Sequence, residues 1–378
     1  MKLSFRFLHT ADWQIGKPFG NVPGDAGADL RRQRIATVRK LAEYAAAQQL
    51  DAVLVAGDAF DSSEVEDRTI HQMLSALSPF DGPWVFLPGN HDAALVHSVW
   101  SRLRQLGPGP NIIIADAPEP IPLAHGKVVV LPAPLRRRRE TSDLTGWFDG
   151  FVTAPGAMRI GLAHGTVANR LPAGTEAANE IAEDRAVSAR LDYLALGDWH
   201  GTLEVAERTW YSGTPETDRH RANQSGHALL VEIAESGAAL NVVPVPTTAY
   251  RWQRLEVGIV DGRCDAVLAA LEGVAANPQQ AVVSLLLSGA ISLAERYRLE
   301  EALDSWSARL HHLVVDNSAL HEEPTAEDLE VLADSGILRT AVDKLQNMAG
   351  DPGCADRDAA SVALRMLYLD HMRTGGAR

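Results

Sequence analysis

Residues 52–61 read AVLVAGDAFD, and residues 85–92 read VFLPGNHD. In each stretch a short apolar run, of the kind that forms a buried strand, leads to a glycine that is followed by carboxylate, amide or imidazole side chains. In open α/β sheets the loops at the carboxyl ends of the strands converge on one crevice. We therefore expect the two polar clusters to lie close together in space.

The same arrangement recurs along the first 250 residues. The predicted strands are Phe5–Leu8, Ala52–Ala56, Val85–Leu87, Ile160–Ala163 and Tyr193–Leu196. The polar clusters that follow them are His9–Gln14, Gly57–Asp61, Gly89–Asp92, His164–Gly165 and Gly197–His200. Between the first two strands, Leu30–Gln49 carries apolar residues at helical spacing. Strands that alternate with helices indicate an α/β layered domain.

Each cluster alone also has a purely structural explanation. Gly-Asp and Gly-Asn are common turn dipeptides, so the glycine-led clusters could only shape loops. His164 could be a hydrogen-bonded core histidine, and Asp12 could cap the segment that follows it. The complete set favours a metal site, because all five clusters hold residues of metal-ligand type at predicted strand ends in one domain.

The order of the motifs resembles that of the calcineurin-like metallophosphoesterases. GDAFD at residues 57–61 and GNHD at residues 89–92 fit two motifs of that family, with Asp12 before them and His164 and His200 after them. This resemblance implies an α/β fold: a layered metallophosphoesterase β-sandwich flanked by helices, with a small α+β capping domain and a helical C-terminal tail.

Three segments are similar to a narrower group, the SbcD-type DNA-repair nucleases, which are bacterial counterparts of the meiotic-recombination nuclease. They are residues 9–12, 87–92 and 211–216. The similarity implies a two-metal-dependent DNA exonuclease or endonuclease that acts in DNA repair or defence with an SbcC-type ATPase. The alternatives are a phosphodiesterase or phosphatase acting on a small nucleotide, and a non-catalytic structural subunit of an ATPase complex.

The family pattern also implies roles for individual residues. Asp58 would bridge two divalent metal ions, which together lower the pKa of a water molecule, neutralise the phosphate and align the reacting oxygens. The implied metal ligands are Asp12, Gln14 and His200 for the first ion, Asn90, His164 and Asp198 for the second, and Asp58 for both. The implied catalytic residues are His91, which stabilises or protonates the leaving oxygen, and Asp92, which orients His91 or its loop. Asp61 would support the site.

The sequence departs from the family pattern at two of these ligands. Gln14 and Asp198 stand where family members usually have histidine. The implied site thus has three carboxylates and two histidines, and oxygen ligands favour manganese or magnesium over zinc. We expect manganese, with magnesium or iron as alternatives. A site that has become a binding scaffold without activity is the competing explanation of the two replacements.

The pattern of the chain changes after residue 250. It predicts a nuclease domain at 1–250, a capping domain at 251–322 and a helical tail at 323–378. In the predicted capping domain, strands alternate with helices at Gln253–Val257, Asp265–Val274, Ala281–Leu287, Leu293–Arg309 and Leu310–Val315. The order resembles a small α+β domain.

The tail is predicted to form two helices. A helix-start signal lies at Pro324, Thr325 and Asp328, and residues 350–353 (GDPG) separate the helices. One side of the last helix carries Leu364, Leu367, Tyr368 and Met372. This side could dock on an SbcC-type ATPase or pack on the capping domain of the same chain.

The formal net charge is −14, which argues against binding nucleic acid through the overall field of the protein. DNA contacts would have to be local, and the candidates are Arg136, Arg137, Arg138 and Arg139. Further arginines, Arg31, Arg32, Arg34 and Arg39, enrich the first long helix. Such side chains would hold phosphates without reading bases.

Three further expectations come from composition. The only two cysteines, Cys264 and Cys354, are far apart in sequence and indicate neither a disulfide framework nor a thiolate zinc site. No apolar run approaches the length that spans a bilayer, which favours a cytoplasmic protein. A homodimer is left open.

Overall fold

The computed structural model describes residues 4–169, 179–274, 277–323, 325 and 336–375. The chain divides into two compact units: Met1–Asp218 with Ala222–Tyr250, and Arg219–Arg221 with Arg251–Arg378. The strands of the first unit are β1 (Phe5–Thr10), β2 (Ala52–Val55), β3 (Trp84–Phe86), β4 (Ile112–Ile114), β5 (Ile121–Leu123), β6 (Val128–Ala133), β7 (Met158–His164), β8 (Tyr193–Gly197), β9 (Leu203–Ala206), β10 (Thr209–Tyr211), β11 (His227–Ile233) and β12 (Leu240–Pro246). Its helices are α1 (Gly24–Ala47), α2 (Asp67–Leu77), α3 (Val99–Gln105) and α4 (Arg185–Ser188).

These strands form two six-stranded mixed sheets. The first has the order β12-β11-β1-β2-β3-β4, and the second has the order β5-β6-β7-β8-β10-β9. Strands β1 to β4 run parallel, and so do β6, β7 and β8. The carboxyl ends of the strands within each parallel set therefore share one edge of their sheet.

A single apolar cluster joins the facing sides of the two sheets. Phe7 and Leu54 from the first sheet and Val130 and Ile160 from the second are buried in it. The ring of Phe7 also meets that of Tyr193 edge to face, with 5.6 Å between centroids. The layered α/β sandwich expected from the sequence is confirmed.

Helix α1 covers the outer face of the first sheet. Val38, Leu41, Ala42 and Ala45 are buried in one cluster with Leu8 and other residues of that sheet, as the apolar spacing predicts. The helix begins at Gly24, six residues before the predicted start at Leu30. Its opening residues, GDAGAD, carry little apolar periodicity, and among them only Gly27 is buried.

The second unit contains a three-stranded parallel sheet with the order β13-β14-β15. Its strands are β13 (Arg251–Gly262), β14 (Ala281–Ile291) and β15 (His312–Glu322), and its first two helices are α5 (Asp265–Glu272) and α6 (Leu293–Arg309). The predicted order of elements is observed, but each strand is longer than expected. One apolar core buries Val267 and Leu299 of the helices against Val283 and Leu285 of the sheet.

The described part of the tail forms two helices, α7 (Gly336–Gly350) and α8 (Arg357–Gly375). Leu364 and Tyr368 of α8 are buried with Leu293 of α6 and Val342 of α7. Leu367 is partly buried in the same cluster, so this side of α8 packs within its own unit. Pro324 and Asp328 of the helix-start signal and the side chain of Met372 lie outside the described residues. Among the helices that the structure describes, none is long and apolar enough to cross a membrane.

Candidate metal centre

The predicted site residues stand at the carboxyl ends of five strands. Asp12 and Gln14 follow β1, Asp58 follows β2, and Asn90 follows β3. In the second sheet, His164 is the last residue of β7, and Asp198 and His200 follow β8. The parallel strands thus deliver every predicted metal ligand from the ends of β1, β2, β3, β7 and β8.

Asp12, Asp58 and His164 form the centre of this group. One possible ligand atom from each lies within 4.8 Å of those of the other two, and all three side chains are buried. Burial raises the pKa of Asp12 to about 6, although the imidazoles of His200 and His164 lower it. Carboxylates that lie this close together and are shielded from water require a compensating cation. The cluster therefore fits a divalent metal ion.

The tautomer of His164 also fits a metal ligand. Its Nδ1 donates to the backbone oxygen of Ala56 over 2.8 Å, because a carbonyl oxygen can only accept. In the neutral imidazole, Nε2 then carries a lone pair, and it lies 3.5 Å from Oδ1 of Asp58 and 3.8 Å from Oδ1 of Asp198. This buried Nε2 atom has no hydrogen-bond partner among the described residues, which is the state expected of an atom that binds a metal.

The acidic neighbours of His164 also act on its protonation. Although burial lowers the pKa of His164, the charges of Asp58, Asp12 and Asp198 raise it to about 9. The imidazolium would then supply part of the positive charge that the carboxylates need. A bound metal ion would replace that proton, because a ligating imidazole must be neutral.

Asn90 and Asp198 adjoin His164. The Nδ2 atom of Asn90 lies 3.4 Å from Oδ1 of Asp198, while the buried Oδ1 of Asn90 has no partner among the described residues. Thr166 donates from Oγ1 to Oδ2 of Asp198 over 3.2 Å. Asn90, His164 and Asp198 thus offer an amide oxygen, an imidazole nitrogen and a carboxylate oxygen at one place, the donor set assigned to the second ion.

Gln14 and His200 each contact a carboxylate. The Nε2 atom of Gln14 donates to Oδ2 of Asp58 over 2.8 Å. The Nδ1 atom of His200 lies 3.7 Å from Oδ1 of Asp218. These two residues were assigned to the first ion together with Asp12 and Asp58.

Four of the predicted ligands adopt the left-handed backbone region, in which φ is positive. Asp12 has φ 54°, Gln14 has φ 49°, Asp58 has φ 53° and Asp198 has φ 98°. Such conformations cost of order 1 to 3 kcal/mol each in a residue other than glycine, and they cluster at functional sites. The strained turns direct these side chains to the ends of the strands, where the predicted ligands gather.

Two glycines are required by close packing at the site. A Cβ atom on Gly57 would lie 2.1 Å from Nδ1 of His164, and one on Gly89 would lie 2.2 Å from Oδ1 of Asp58. No side chain can be accommodated at these distances. The glycines of the GDAFD and GNHD motifs thus let the loops approach the predicted ligands.

His91 is oriented by two contacts. Its backbone N–H donates to Oδ1 of Asp58 over 2.9 Å, and its Nδ1 donates to the backbone oxygen of Asp61 over 2.9 Å. Its Nε2 atom lies 4.0 Å from Oδ2 of Asp58, and the side chain is 33% exposed. With Nδ1 bonded to Asp61, Nε2 is the ring nitrogen that remains to meet a substrate, on a partly exposed side chain.

Asp92 is fully buried and connects two loops. Its Oδ1 accepts from the backbone N–H of Gly89 over 2.7 Å, and its Oδ2 accepts from that of Phe60 over 3.0 Å. Burial and the charge of Asp58 raise the pKa of Asp92 to about 7, against these hydrogen bonds. This placement favours a role in ordering the loops, one of the two roles that the sequence left open.

Comparison with known proteins agrees with this geometry. The family model described as calcineurin-like phosphoesterase matches residues 5–201. This range holds all seven predicted metal ligands. The chain belongs to the calcineurin-like phosphoesterase family.

Proteins similar to this phosphoesterase chain include nucleases. The SbcD subunit of the SbcCD nuclease from Rhodobacter capsulatus is 29% identical over 292 residues, which are 64% of this chain and 69% of that protein. The DNA double-strand break repair protein Mre11 of Methanosarcina acetivorans is 22% identical over 366 residues, 93% of this chain and 56% of that protein. Among solved structures, the purple acid phosphatase PPD1 of yellow lupin seeds has a TM-score of 0.43 and 11% identity, over 65% of this chain and 52% of that one.

Beside the phosphoesterase motifs, sequence reasoning missed Asp218 and misplaced Arg34. Arg34 is one of the arginines of the first long helix that were expected to hold phosphates, but it is buried. Its Nη2 donates to Oδ2 of Asp218 over 2.8 Å, and its Nη1 donates to the backbone oxygen of Trp13 over 2.5 Å. A helical periodicity of apolar residues could have placed Arg34 on the buried face, since Leu30, Val38 and Leu41 share it.

The arginine run at Arg136, Arg137, Arg138 and Arg139 is exposed. It begins immediately after Leu135, whose backbone N–H donates to the oxygen of Pro88 over 3.3 Å. Pro88 directly precedes the GNHD motif at residues 89–92. The base of the run is thus attached to the loop that carries Asn90 and His91.

Proposed function

We propose that this chain is a two-metal-dependent nuclease that hydrolyses phosphodiester bonds of DNA in repair or defence, and that it works with an SbcC-type ATPase. The observation that carries the proposal is the buried cluster of Asp12, Asp58 and His164 at the strand ends. Family membership and the relatives named as nuclease subunits support a metal-dependent hydrolase. The choice of DNA as substrate rests on those relatives and on the arginine run.

We assign the predicted ligands to two ions. Asp12, Gln14 and His200 would hold the first, Asn90, His164 and Asp198 would hold the second, and Asp58 would bridge them. When bound, a pair of divalent ions supplies Lewis-acid chemistry, lowering the pKa of water and neutralising phosphate charge. The donor set contains three carboxylates and two amides, so we propose manganese, since hard oxygen ligands favour manganese or magnesium over zinc.

His91 is assigned to the departing oxygen of the phosphodiester. Because Nδ1 must donate to the carbonyl of Asp61, Nε2 is the atom that can transfer a proton. The imidazolium form carries that proton on a partly exposed side chain. Donation from Nε2 would neutralise the sugar alkoxide as it leaves.

The arginine run at 136–139 is assigned to the DNA backbone. The chain has a net charge of −14, so attraction of DNA must come from local cationic groups. The run is exposed and joined at its base to the GNHD loop. Its guanidinium groups would bind phosphates without selecting a sequence.

An SbcC-type ATPase is proposed to bind the helical tail at residues 323–378. One side of α8 packs within its own unit, but Val362 and Met366 of the same helix are 45% and 64% exposed. Exposed apolar side chains on a terminal helix suit a protein interface. The relatives named as part of the SbcCD nuclease supply the class of partner.

Digestion of end-labelled DNA tests the proposed function. Duplex and single-stranded DNA would be incubated with the chain and manganese, beside a small chromogenic phosphodiester. We expect wild type to cleave DNA and Asp58→Ala to be inactive. Asp67→Ala should still cleave DNA, because Asp67 pairs with Arg102 at the surface. Cleavage of the small diester alone would indicate a nucleotide phosphodiesterase. Metal binding without either activity would indicate a structural subunit.

A further inference from the structure

Asp218 is a buried carboxylate outside the family motifs, and its two oxygens have different surroundings. Its side chain is 1% exposed, and Oδ2 accepts from Nζ of Lys17 over 2.5 Å and from Nη2 of Arg34 over 2.8 Å. Its Oδ1 is the atom that lies 3.7 Å from Nδ1 of His200. One oxygen is thus held by two cations, and the other faces the imidazole.

The segment that carries Asp218 is fixed independently of the metal centre. Two residues earlier, the buried Glu216 accepts from Oγ1 of Thr37 over 2.6 Å and from the backbone N–H groups of Ala249 and Tyr250 at 3.0 Å each. Thr37 lies one turn after Arg34 on α1. Glu216 and Asp218 therefore anchor the same segment to the same helix, but of the two it is Asp218 that faces His200.

We infer that Asp218 is a positioning residue for His200, selecting Nε2 as the nitrogen that faces the first metal ion. The inference rests on the proposed function, since it concerns the ligand set named there. An imidazole can bind a metal through either nitrogen, and the group beside the other nitrogen decides which one. A carboxylate beside Nδ1 keeps a proton there and leaves the lone pair on Nε2.

Lys17 and Arg34 also help to position His200, because both bind Asp218. A buried carboxylate beside His200 adds a negative charge that needs compensating partners. The two cations hold Oδ2, which leaves Oδ1 as the oxygen that faces Nδ1 of His200. Arg34 also donates to the backbone oxygen of Trp13, between Asp12 and Gln14. It therefore ties Asp218 to the loop that carries two ligands of the same ion.

Manganese titration of the metal-free chain tests this role. In wild type we expect two binding events, and in Asp218→Asn we expect one of them to weaken by about 10- to 100-fold, the usual effect of losing a group that orients a ligand. Glu216→Gln is the matched control, because it removes an equally buried carboxylate from the same segment. It should lower the melting temperature and leave both affinities unchanged.

A double-mutant cycle separates positioning from general support. If Asp218 acts through His200, Asp218→Asn will have no further effect on manganese affinity in a His200→Ala background. Additive losses would overturn the inference. Two unchanged binding events in a folded Asp218→Asn variant would also overturn it, while the proposed function would stand. A wild-type chain that binds no manganese would overturn the proposed function and the inference with it.

The tautomer of His200 can also be measured by spectroscopy on the wild-type chain. This test does not depend on whether a variant of Asp218 folds. The ¹⁵N shifts of the His200 ring, assigned by comparison with His200→Gln, report which nitrogen is protonated. In the metal-free neutral ring we expect a proton on Nδ1 and a lone pair on Nε2. The opposite tautomer would overturn the inference.

Discussion

The amide of Gln14 donates from Nε2 to Oδ2 of Asp58 over 2.8 Å. The residue that replaces a family histidine is thus hydrogen-bonded to the carboxylate proposed to bridge the two ions. Only its Oε1 atom remains to bind a metal while that hydrogen bond is kept. A neutral amide oxygen is a weaker ligand than an imidazole nitrogen for borderline ions such as zinc.

Gln14→His should therefore tighten binding of the first ion and shift selectivity toward zinc. Competitive titration with manganese and zinc measures both effects, and Gln14→Ala is the control for loss of the amide. If Gln14 only holds Asp58 in place, the two variants will weaken manganese binding equally and neither will favour zinc.

Asp58→Ala should remove both ions, because the two share this carboxylate. Elemental analysis of the purified variant is expected to find less than one equivalent of metal, with the fold retained by circular dichroism. Asp67→Ala, which removes a surface carboxylate, should keep the wild-type metal content. A fully loaded Asp58→Ala protein would contradict the bridging assignment.

Asp12 gives a prediction about stability and pH. Burial raises its pKa to about 6, against a usual value of 3.8, so the metal-free fold retains a proton that the unfolded chain releases. Between these two pH values, stability decreases as pH rises, and above them the loss is constant. A shift of this size corresponds to about 3 kcal/mol at neutral pH.

Metal-free Asp12→Asn should accordingly be more stable than wild type at pH 7.5, and the difference should vanish below pH 4. Urea unfolding with a chelator present measures the free energy of unfolding. Adding manganese should reverse the order, because only wild type keeps this ligand. If Asp12→Asn is instead less stable than wild type in the chelator at pH 7.5, burial of the Asp12 carboxylate does not destabilise the metal-free fold.

The strand ends could be predicted because their signals are local. An apolar run followed by a glycine and a polar side chain lies within about ten residues, and Gly57 and Gly89 are required by contacts with the site itself. The backbone takes positive φ after β1, β2 and β8, where aspartate and glutamine adopt it as well as glycine. One local pattern therefore predicts both the candidate ligands and the strands that carry them.

Asp218 could not be predicted because its partners are distant in sequence. Lys17 and Arg34 precede it by 201 and 184 residues. Lys17 precedes α1, so the fold of the β1–α1 loop and the packing of α1 together bring these charges to Asp218, and no spacing rule encodes that. Arg34 differs in this respect, because the helical periodicity of the apolar face of α1 is a local signal that places it inside.

The exposed arginine run yields a prediction about DNA binding. Replacing Arg137 and Arg138 by glutamate should weaken binding to every sequence alike and flatten its dependence on salt, because fewer counterions are released. Arg339→Glu with Lys344→Glu on α7 makes the same change in charge at two other exposed positions and should have little effect. Fluorescence anisotropy at several salt concentrations provides the comparison. Equal losses in the two variants would assign the effect to net charge rather than to the run.

His91 allows metal binding and catalysis to be separated. Its ring donates to the backbone oxygen of Asp61, its backbone N–H donates to Asp58, and its side chain is partly exposed. His91→Ala should therefore leave both ions in place and slow DNA cleavage by roughly 10² to 10⁴-fold, the usual cost of losing a positioned proton donor. On a nitrophenyl diester the loss should be much smaller, because that leaving group departs without a proton. Equal losses on both substrates, with metal content verified in the same preparation, would exclude a leaving-group acid, whereas missing metal would make His91 a ligand.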